Sequence, residues 1–423
     1  MRMVSRMLSV RATSATGRRD ALDVGFADGL VGQFHALWLH DNCPSRRGAT
    51  NQKTHATADT PVGASIAAAR AEDEGARVSV DWAGSAGARS VYDAAWLHQH
   101  AFRLPDEPPR ALAHAPPSAR EPLPRLAYRD VLSSDATLFA WVRHLAEEGV
   151  CILEGAPDSP DSVCTAAERI APVQETIYGR AWAVVDSSAG AINVAYTSVA
   201  LPLHMDLAYY ESPPGLQLLH CRRFDEQVTG GESVLLDAFE AAMAFAAIAP
   251  SHFAALATIP ATFVKEHFAR ERPVCMRYRR PHFALNGRKE LTAVFWSPPF
   301  DGPLYAPPAD VPVYYAANRS FDAFLNERVG ERGWTLRLQP GEIITFNNRR
   351  ILHGRNAFEA NGGVRALQGC YVNIDDFSSR YATLRRAHGE ASAVEGTRRP
   401  EMGLPMLGNQ DHANGVAMPV KST

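Results

Sequence analysis

The segment 201-LPLHMDLAYYESPPG-215 contains the most informative pattern in the chain. His204 and Asp206 are two residues apart, and in a β-strand residues i and i+2 point to the same side of the sheet. An imidazole and a carboxylate would therefore reach one point, where they could bind a metal ion. Alone, the pair is weak evidence, because a surface histidine beside a solvated aspartate explains it equally well.

The segment 345-TFNNRRILHGRNAF-358 adds a third candidate ligand, His353, which follows an apolar strand and a turn. Two histidines and one carboxylate occupy one side of a metal and leave the remaining positions open, as in non-haem Fe(II) oxygenases. Zinc hydrolases use the same ligand types, but typically in an HExxH motif on a helix. That motif is absent from the sequence, so the pattern favours iron over a zinc hydrolase.

The segment 363-GVRALQGCYV-372 places Arg365 twelve residues after His353. A guanidinium group can hold a carboxylate through two parallel hydrogen bonds. A dicarboxylic 2-oxo acid that chelates iron needs such an anchor at its far end. A surface ion pair is the alternative explanation for a lone arginine, and the spacing from His353 favours the binding role.

Composition excludes several classes of protein. The 423 residues are 46% hydrophobic and 21% charged with a formal net charge of −3, which is typical of a soluble globular chain of two or three domains. No basic excess indicates nucleic acid, and no apolar stretch approaches the ~20 residues that span a bilayer. The six cysteines form no CxC or CxxC pair, which indicates isolated reduced thiols.

Composition shifts along the chain predict five segments. They are a disordered start (1–20), a small N-terminal α+β domain (21–103), a Pro-rich linker (104–127), a mainly β domain (128–388) and a disordered tail (389–423). The start holds five arginines and no acidic residue up to Arg19. That composition fits a mitochondrial transit peptide, but we expect a cytoplasmic protein with an irregular N-terminus.

Within 128–388, helices are predicted over 135–149 and 159–172, with a strand at 150–155 between them. After Tyr178, short apolar runs alternate with Gly and Pro, which indicates an antiparallel sandwich or jelly roll. A single helical insertion is predicted over 238–256.

In combination, HMD and LHGR followed by Arg365 and Tyr371 resemble the TauD/TfdA branch of Fe(II)/2-oxoglutarate dioxygenases. The resemblance runs from about residue 28 to 382 and is strongest to the γ-butyrobetaine and trimethyllysine dioxygenase family. The stretches that carry it are YGRAW (178–182), INVAYTSVALPLHMDL (192–207), SPPGLQLLHC (212–221), TGGESVLLD (229–237) and LQGCYV (367–372).

The resemblance implies a double-stranded β-helix (jelly-roll) catalytic domain with flanking helices. It also implies that His204, Asp206 and His353 bind Fe(II) and that Arg365 holds the distal carboxylate of 2-oxoglutarate. O2 would be the second cosubstrate, and ascorbate is a candidate accessory reductant.

Four aromatic residues match the family's quaternary-ammonium cage: Tyr178, Trp182, Tyr196 and Tyr371. Aromatic faces attract a trimethylammonium group, which cannot donate hydrogen bonds, although core packing is the alternative explanation for such rings. Asn193 matches an amide that contacts the substrate carboxylate in the family.

Three positions depart from the family where the acidic end of the substrate would bind: Leu207, Trp296 and Ser297. The leading prediction is hydroxylation of γ-butyrobetaine to L-carnitine. The alternatives are 2-(trimethylammonio)ethylphosphonate or another betaine analogue as substrate, and, from a different class, a non-catalytic betaine-binding protein.

The N-terminal segment WLHDNCP (38–44) resembles the family's zinc loop but keeps only Cys43. One thiolate cannot build a tetrahedral structural site. The nearby histidines are irregularly spaced, so we do not expect zinc there; they are His40, His55, His98 and His100. The resemblance also makes this domain the expected contact of a homodimer.

Overall fold

The computed structural model describes residues 10–47, 52–84, 89–101, 122–185, 197–286, 289 and 291–389, which fall into two compact units. Residues 1–9 and 390–423 of the segments predicted to be disordered lie outside this description, as do residues 104–121 of the predicted linker and the two residues before it. Within the described ranges, no helix is both long and apolar enough to cross a membrane.

The first unit contains two three-stranded antiparallel sheets and two short helices. Its elements are β1 (Ala12–Gly17), β2 (Ala21–Phe26), β3 (Val31–His35), α1 (Ala36–Asp41), β4 (Ile66–Glu72), β5 (Arg77–Trp82), β6 (Arg89–Asp93) and α2 (Ala94–His100).

This unit begins before residue 21, where the sequence placed its boundary. Strand β1 pairs along β2, which has an alternating buried pattern through Leu22, Val24 and Phe26. The ATSATG sequence of β1 consists of small and hydroxyl residues, so it has no hydrophobic alternation that would predict a strand. Pairing with β2, a tertiary effect, determines its conformation.

The second unit is mainly β with flanking helices, as predicted. Its N-terminal elements are β7 (Arg125–Ala127), α3 (Tyr128–Ser133), α4 (Asp135–Glu147), β8 (Val150–Glu154), α5 (Ser162–Ile170), β9 (Trp182–Val185), β10 (Leu201–His204), β11 (Leu216–Phe224), β12 (Thr229–Gly230) and β13 (Ser233–Asp237). An insertion follows: α6 (Ala238–Ile248), α7 (Pro250–Thr258), β14 (Ala261–His267), β15 (Val274–Arg280), β16 (Phe283–Leu285), β17 (Leu291–Val294) and α8 (Asp310–Arg332). The last elements are β18 (Trp334–Leu336), β19 (Ile343–Asn347), β20 (Ile351–Arg355), β21 (Phe358–Glu359), β22 (Arg365–Val372) and α9 (Ile374–Ala387).

Two sheets form the centre of this unit. One has six strands in the order β7-β8-β19-β11-β22-β9, and the other has four in the order β10-β20-β13-β18. All their pairings are antiparallel except β7 with β8. Side chains from both sheets line one cavity, so the sheets face each other as expected for a jelly roll. Strand β7 lies before residue 128, where the prediction began the domain.

The predicted helix over 135–149 and the strand after it are confirmed. Ser134 caps α4 by accepting a hydrogen bond from the Thr137 backbone N–H. Gly149 ends the helix with a φ of +88°, a conformation that favours glycine. The apolar stripe of α4, including Trp141 and Val142, packs with Leu216 and Leu218 of β11 in a hydrophobic core.

The insertion differs from the single predicted helix. The helical segment breaks at Ala249 because Pro250 starts a new helix, so α6 and α7 are separate. Two hairpins and the 23-residue helix α8 follow. This region packs around an aromatic core that includes Phe245, Phe283 and Phe321.

Candidate metal centre

Strand pairing brings the two predicted histidine ligands together. Strands β10 and β20 are antiparallel neighbours, and His204 is directly opposite His353 in their register. Side chains of such cross-strand partners lie on the same face of the sheet. The two imidazole rings are accordingly 4.3 Å apart between centroids.

Asp206 completes the cluster. Its Oδ1 lies 3.5 Å from His204 Nε2 and its Oδ2 lies 3.9 Å from His353 Nε2. One candidate ligand atom from each of the three residues lies within 4.8 Å of the others. The His204 Nδ1–H donates to the Pro202 carbonyl at 2.8 Å, which leaves Nε2 directed toward the cluster. The sequence identified all three of these residues.

Two side chains hold Asp206 in place. Asn348 braces its backbone, because the Asn348 Oδ1 accepts from the Asp206 N–H at 2.8 Å and its Nδ2 donates to the Asp206 carbonyl at 3.1 Å. The Tyr371 hydroxyl donates to Asp206 Oδ2 at 2.6 Å. The next residue, Leu207, has a φ of +58°, a conformation that side-chain-bearing residues rarely adopt. The position of the carboxylate is thus fixed by hydrogen bonds to the Asp206 backbone and to its side chain.

The electrostatics favour the protonation states that bind metal. Burial alone would raise the pKa of Asp206, but the hydrogen bond to His204 and the neighbouring histidines hold that pKa well below its usual value. Burial, assisted by the positive charge that His204 would carry, lowers the pKa of His353 to about 3. An ionised carboxylate and a neutral imidazole are the ligand forms of these groups.

Arg365 lines the same cavity as the three candidate ligands. It is the first residue of β22, and only 6% of its surface is exposed. Its guanidinium lies 5.3 Å from the Phe224 ring centroid, and its Nε has no hydrogen-bond partner among the described residues. Burial, and then the nearby Arg355, lower the pKa of Arg365 to about 10, so it stays charged at neutral pH. A buried cation with an unpaired donor is suited to an anionic ligand.

Three of the predicted cage residues also line this cavity: Tyr178, Trp182 and Tyr371. The Trp182 ring stacks on Tyr371 at 4.1 Å, and Tyr178 lies 6.3 Å from Trp182. Trp182 is the register partner of Gly369, where a Cβ would come within 2.6 Å of the indole. The other two predicted substrate contacts, Asn193 and Tyr196, lie outside the described residues.

The three residues that depart from the family pattern are all buried. Leu207 and Trp296 belong to the hydrophobic core, and Trp296 packs against His282 and Phe321. The Ser297 hydroxyl donates to the Met205 carbonyl at 2.9 Å. None of the three is among the residues found to line the cavity within the described part of the chain.

Sequence reasoning missed three residues of this region: Gln217, Ser233 and Asn348. Gln217 and Ser233 line the cavity, and Asn348 braces Asp206. Gln217 could have been noted, because it is the polar member of the apolar run LQLLHC. Asn348 could not, because its role depends on a contact 142 residues away in the chain.

Comparison with known proteins agrees with this geometry. Residues 112–371 match the model of the taurine catabolism dioxygenase TauD, TfdA family. The chain belongs to the TauD/TfdA family. It is therefore an oxidoreductase of the 2-oxoglutarate-dependent dioxygenase type, and the resemblance found in the sequence is confirmed.

Several TauD/TfdA relatives are similar to most of this chain. A γ-butyrobetaine dioxygenase from Pseudomonas sp. (strain AK-1) is 34% identical over 380 residues, which cover 88% of this chain and 96% of that protein. The human γ-butyrobetaine dioxygenase is 31% identical over 268 residues, covering 62% of this chain and 67% of its own length. The mitochondrial trimethyllysine dioxygenase of Gallus gallus is 29% identical and covers 84% of each chain. Among solved structures, an asparagine oxygenase in complex with Fe(II), 3-hydroxyasparagine and succinate matches 58% of this chain with a TM-score of 0.43 and 18% identity.

The cluster fits the iron cofactor of this family. Two imidazole nitrogens and one carboxylate oxygen, on one side of a cavity, form the donor set of non-haem Fe(II) oxygenases. The Nδ1 of His353 is buried and unpartnered among the described residues, so the ring is held by packing against Phe346 at 4.9 Å.

Proposed function

We propose that this dioxygenase hydroxylates a trimethylammonium acid and that γ-butyrobetaine, which would give L-carnitine, is the leading substrate. The observation that carries the proposal is one cavity lined by the His204–Asp206–His353 cluster, the buried Arg365 and an aromatic wall. The cluster offers ligands for a metal, Arg365 offers a positive charge for a dicarboxylate, and the aromatic rings offer a surface for a cation.

In this proposal His204, Asp206 and His353 hold Fe(II), and Arg365 binds the carboxylate of 2-oxoglutarate remote from the metal. When bound, the iron with 2-oxoglutarate and O2 supplies the oxidant that hydroxylates an unactivated C–H bond, with succinate and CO2 as coproducts. The contribution of the chain is to position the reacting groups and exclude water around them.

Arg365 is supported as the dicarboxylate anchor by its surroundings. Arg355 and Arg337 lie close enough to lower the pKa of Arg365, whereas Cys221 and Glu232 act in the opposite direction. Arg337 donates its Nη hydrogen bonds to backbone carbonyls of Asp225 and Val228. The cationic surroundings would stabilise a second negative charge, so a dicarboxylic 2-oxo acid would bind better than a monocarboxylic one.

The aromatic wall supports a quaternary-ammonium substrate. Tyr178, Trp182 and Tyr371 present rings to the cavity, and a ring face attracts a cation by roughly 0.5–2 kcal/mol. The Tyr371 hydroxyl is engaged by Asp206, so its ring and not its hydroxyl is available to the substrate. The trimethylammonium head would therefore lie beside the metal cluster, with the rest of the molecule extending across it.

A second substrate remains a candidate because of the core positions of Leu207, Trp296 and Ser297. The sequence suggested these residues near the acidic end of the substrate, yet their side chains pack in the core or bond to backbone. An acid of different shape, such as 2-(trimethylammonio)ethylphosphonate, is consistent with an altered acidic pocket.

Homodimer formation through the N-terminal unit and a cytoplasmic location remain predictions from the sequence.

The test is succinate formation from 2-oxoglutarate with γ-butyrobetaine, trimethyllysine and 2-(trimethylammonio)ethylphosphonate under Fe(II) and O2. We expect succinate and a hydroxylated product in equal amounts with γ-butyrobetaine or the phosphonate. Turnover with trimethyllysine alone would refute the substrate assignment. Betaine binding without succinate formation from any of the three would favour the betaine-binding protein.

A further inference from the structure

Gln217 is a buried polar residue in the cavity that the proposed chemistry leaves without a role. Along β11, Gln217 and Leu219 line the cavity, whereas Leu216 and Leu218 belong to the core on the opposite side of the sheet. This alternation is that of a strand. Only 3% of the Gln217 surface is exposed.

The strand register places Gln217 between two residues that contact the metal cluster. Its partner on β22 is Tyr371, which donates to Asp206, and its partner on β19 is Phe346, which packs on His353. The amide therefore belongs to the wall of the cavity that faces the three candidate ligands.

The Gln217 Oε1 is buried and has no hydrogen-bond partner among the described residues. Most buried amide side chains are fully hydrogen-bonded, and Asn348 is an example: its side-chain oxygen and nitrogen bond to the backbone of Asp206 and Pro214. An unpaired buried amide group is costly. A half-turn of the amide exchanges the positions of Oε1 and Nε2, and an N–H of Gln217 can then donate to an acceptor oxygen of a bound ligand.

We propose that Gln217 is a positioning residue whose side-chain Nε2–H donates a hydrogen bond to an oxygen of the 2-oxo acid at its metal-chelating end. This inference rests on the proposed function of the same site. Arg365 is the register partner of Phe224, near the other end of β11, so Gln217 and Arg365 line opposite ends of the cavity. The proposed substrate pose puts the trimethylammonium head beside the metal cluster, and that head has no atom that can accept from an amide, whereas the chelating end of the 2-oxo acid carries acceptor oxygens.

The amide would contribute both affinity and orientation. A hydrogen bond to a charged or strongly polarised oxygen fixes the plane of the chelating group relative to the cluster. Correct orientation keeps decarboxylation of the 2-oxo acid coupled to hydroxylation of the substrate. Loss of the amide should therefore lower coupling as well as binding.

The experiment compares the wild type with Gln217→Met, which keeps the volume and removes the hydrogen bond. Anaerobic titration with Fe(II) and 2-oxoglutarate is followed through the metal-to-ligand absorption band. We expect the dissociation constant of 2-oxoglutarate to rise about tenfold, the band position to shift, and the ratio of hydroxylated product to succinate to fall.

The matched control is Thr345→Val. The Thr345 hydroxyl is also buried and unpartnered among the described residues, but its register partner is Leu218, on the side of the sheet away from the cavity. Both variants should retain the wild-type unfolding temperature, and Thr345→Val should leave the titration unchanged.

The outcomes separate the two proposals. If the wild type forms no absorption band with Fe(II) and 2-oxoglutarate, the proposed function fails. If the wild type forms the band and Gln217→Met has the same affinity, band position and coupling, then the proposal for Gln217 is overturned. A change of equal size in Thr345→Val would also overturn it, because a general effect on the sheet would then be the cause.

Discussion

The catalytic unit contains two groups of buried histidine that differ in what surrounds them. In the insertion, His282 is fully buried, its Nδ1 lies 2.7 Å from the Phe295 carbonyl and its Nε2 lies 2.8 Å from the Tyr314 hydroxyl. In the metal cluster, the rings of His204 and His353 are tilted relative to each other with centroids 4.3 Å apart, and the Nδ1 of His353 has no partner among the described residues. Burial lowers the pKa of both His282 and His353, to about 4 and about 3.

The comparison shows that burial and a low pKa do not distinguish a functional histidine from a structural one. Unpaired ring nitrogens alone do not distinguish them either, because neither ring nitrogen of the fully buried His220 has a partner among the described residues. The cluster differs from both in that its rings border a cavity beside a carboxylate. The core around His282 is filled by aromatic rings, including Phe263 and Trp296. The rings of the cluster border a cavity that also holds a buried guanidinium and an amide. The following predictions test this contrast.

The largest effect is expected at the cluster itself. His353→Ala removes one of three candidate ligands, and we expect product formation to fall by more than about 100-fold, the upper range for loss of a mere supporting contact. The measurement is succinate formation at saturating Fe(II). His282→Gln is the control, because glutamine can keep both hydrogen bonds, and its turnover per folded molecule should match the wild type. Equal losses of turnover in the two variants would contradict the claim that His353 is functional and His282 structural.

The next effect concerns the buried guanidinium. Arg365→Met keeps much of the side-chain volume but removes the charged donors. Two hydrogen bonds to a carboxylate would be lost, so the KM for 2-oxoglutarate should rise by about 100-fold. Arg223→Met is a suitable control, because Arg223 pairs with Asp225 at the exposed surface. An unchanged KM in Arg365→Met would place the dicarboxylate anchor elsewhere.

A smaller effect is expected from Tyr371→Phe. This change removes the hydrogen bond to Asp206 Oδ2 but keeps the ring that stacks on Trp182. Fe(II) affinity should fall by about tenfold, whereas the KM for the trimethylammonium substrate should change little. Because the lost hydrogen bond helps to lower the pKa of Asp206, protons should also compete with Fe(II) at higher pH than in the wild type. The check is Fe(II) titration across pH, and a changed substrate KM with normal Fe(II) affinity would contradict this division of roles.

The contrast between the two regions also explains what sequence could predict. The metal cluster could be predicted because His204 and Asp206 are two residues apart and His353 follows an apolar strand in the sequence. The structure differs in one detail, because β10 ends at His204 and Asp206 lies in the turn that follows. Arg365 could be predicted from its spacing from His353. These are local patterns, and the structure needed only one strand pairing, β10 with β20, to bring the ligands together.

The secondary structure of the insertion was harder to predict from the sequence because it depends on tertiary packing. Helix α8 carries Pro312 in its first turn and β-branched and aromatic residues such as Val313 and Tyr314, which favour strands or turns locally. Its buried residues, including Phe321, are matched to rings from distant strands. The placement of Trp296 and Ser297 in the core was likewise invisible, because it depends on contacts with helix α8 and with the segment around Met205.

The last prediction tests His282 directly through the free energy of unfolding. Burial lowers its pKa in the folded state to about 4, whereas the unfolded chain has the ordinary value of 6.5. The unfolded state therefore binds more protons between these values, so stability should be fully present above pH 6.5 and decrease as the pH falls toward 4. His282→Gln, which does not titrate, should remove this part of the decrease, up to roughly 3 kcal/mol. Urea unfolding of both proteins from pH 7 to pH 4 measures the difference in slope. Identical slopes would mean that His282 is protonated in the fold despite its satisfied ring nitrogens, and the distinction between the two groups of histidine would then need another physical basis.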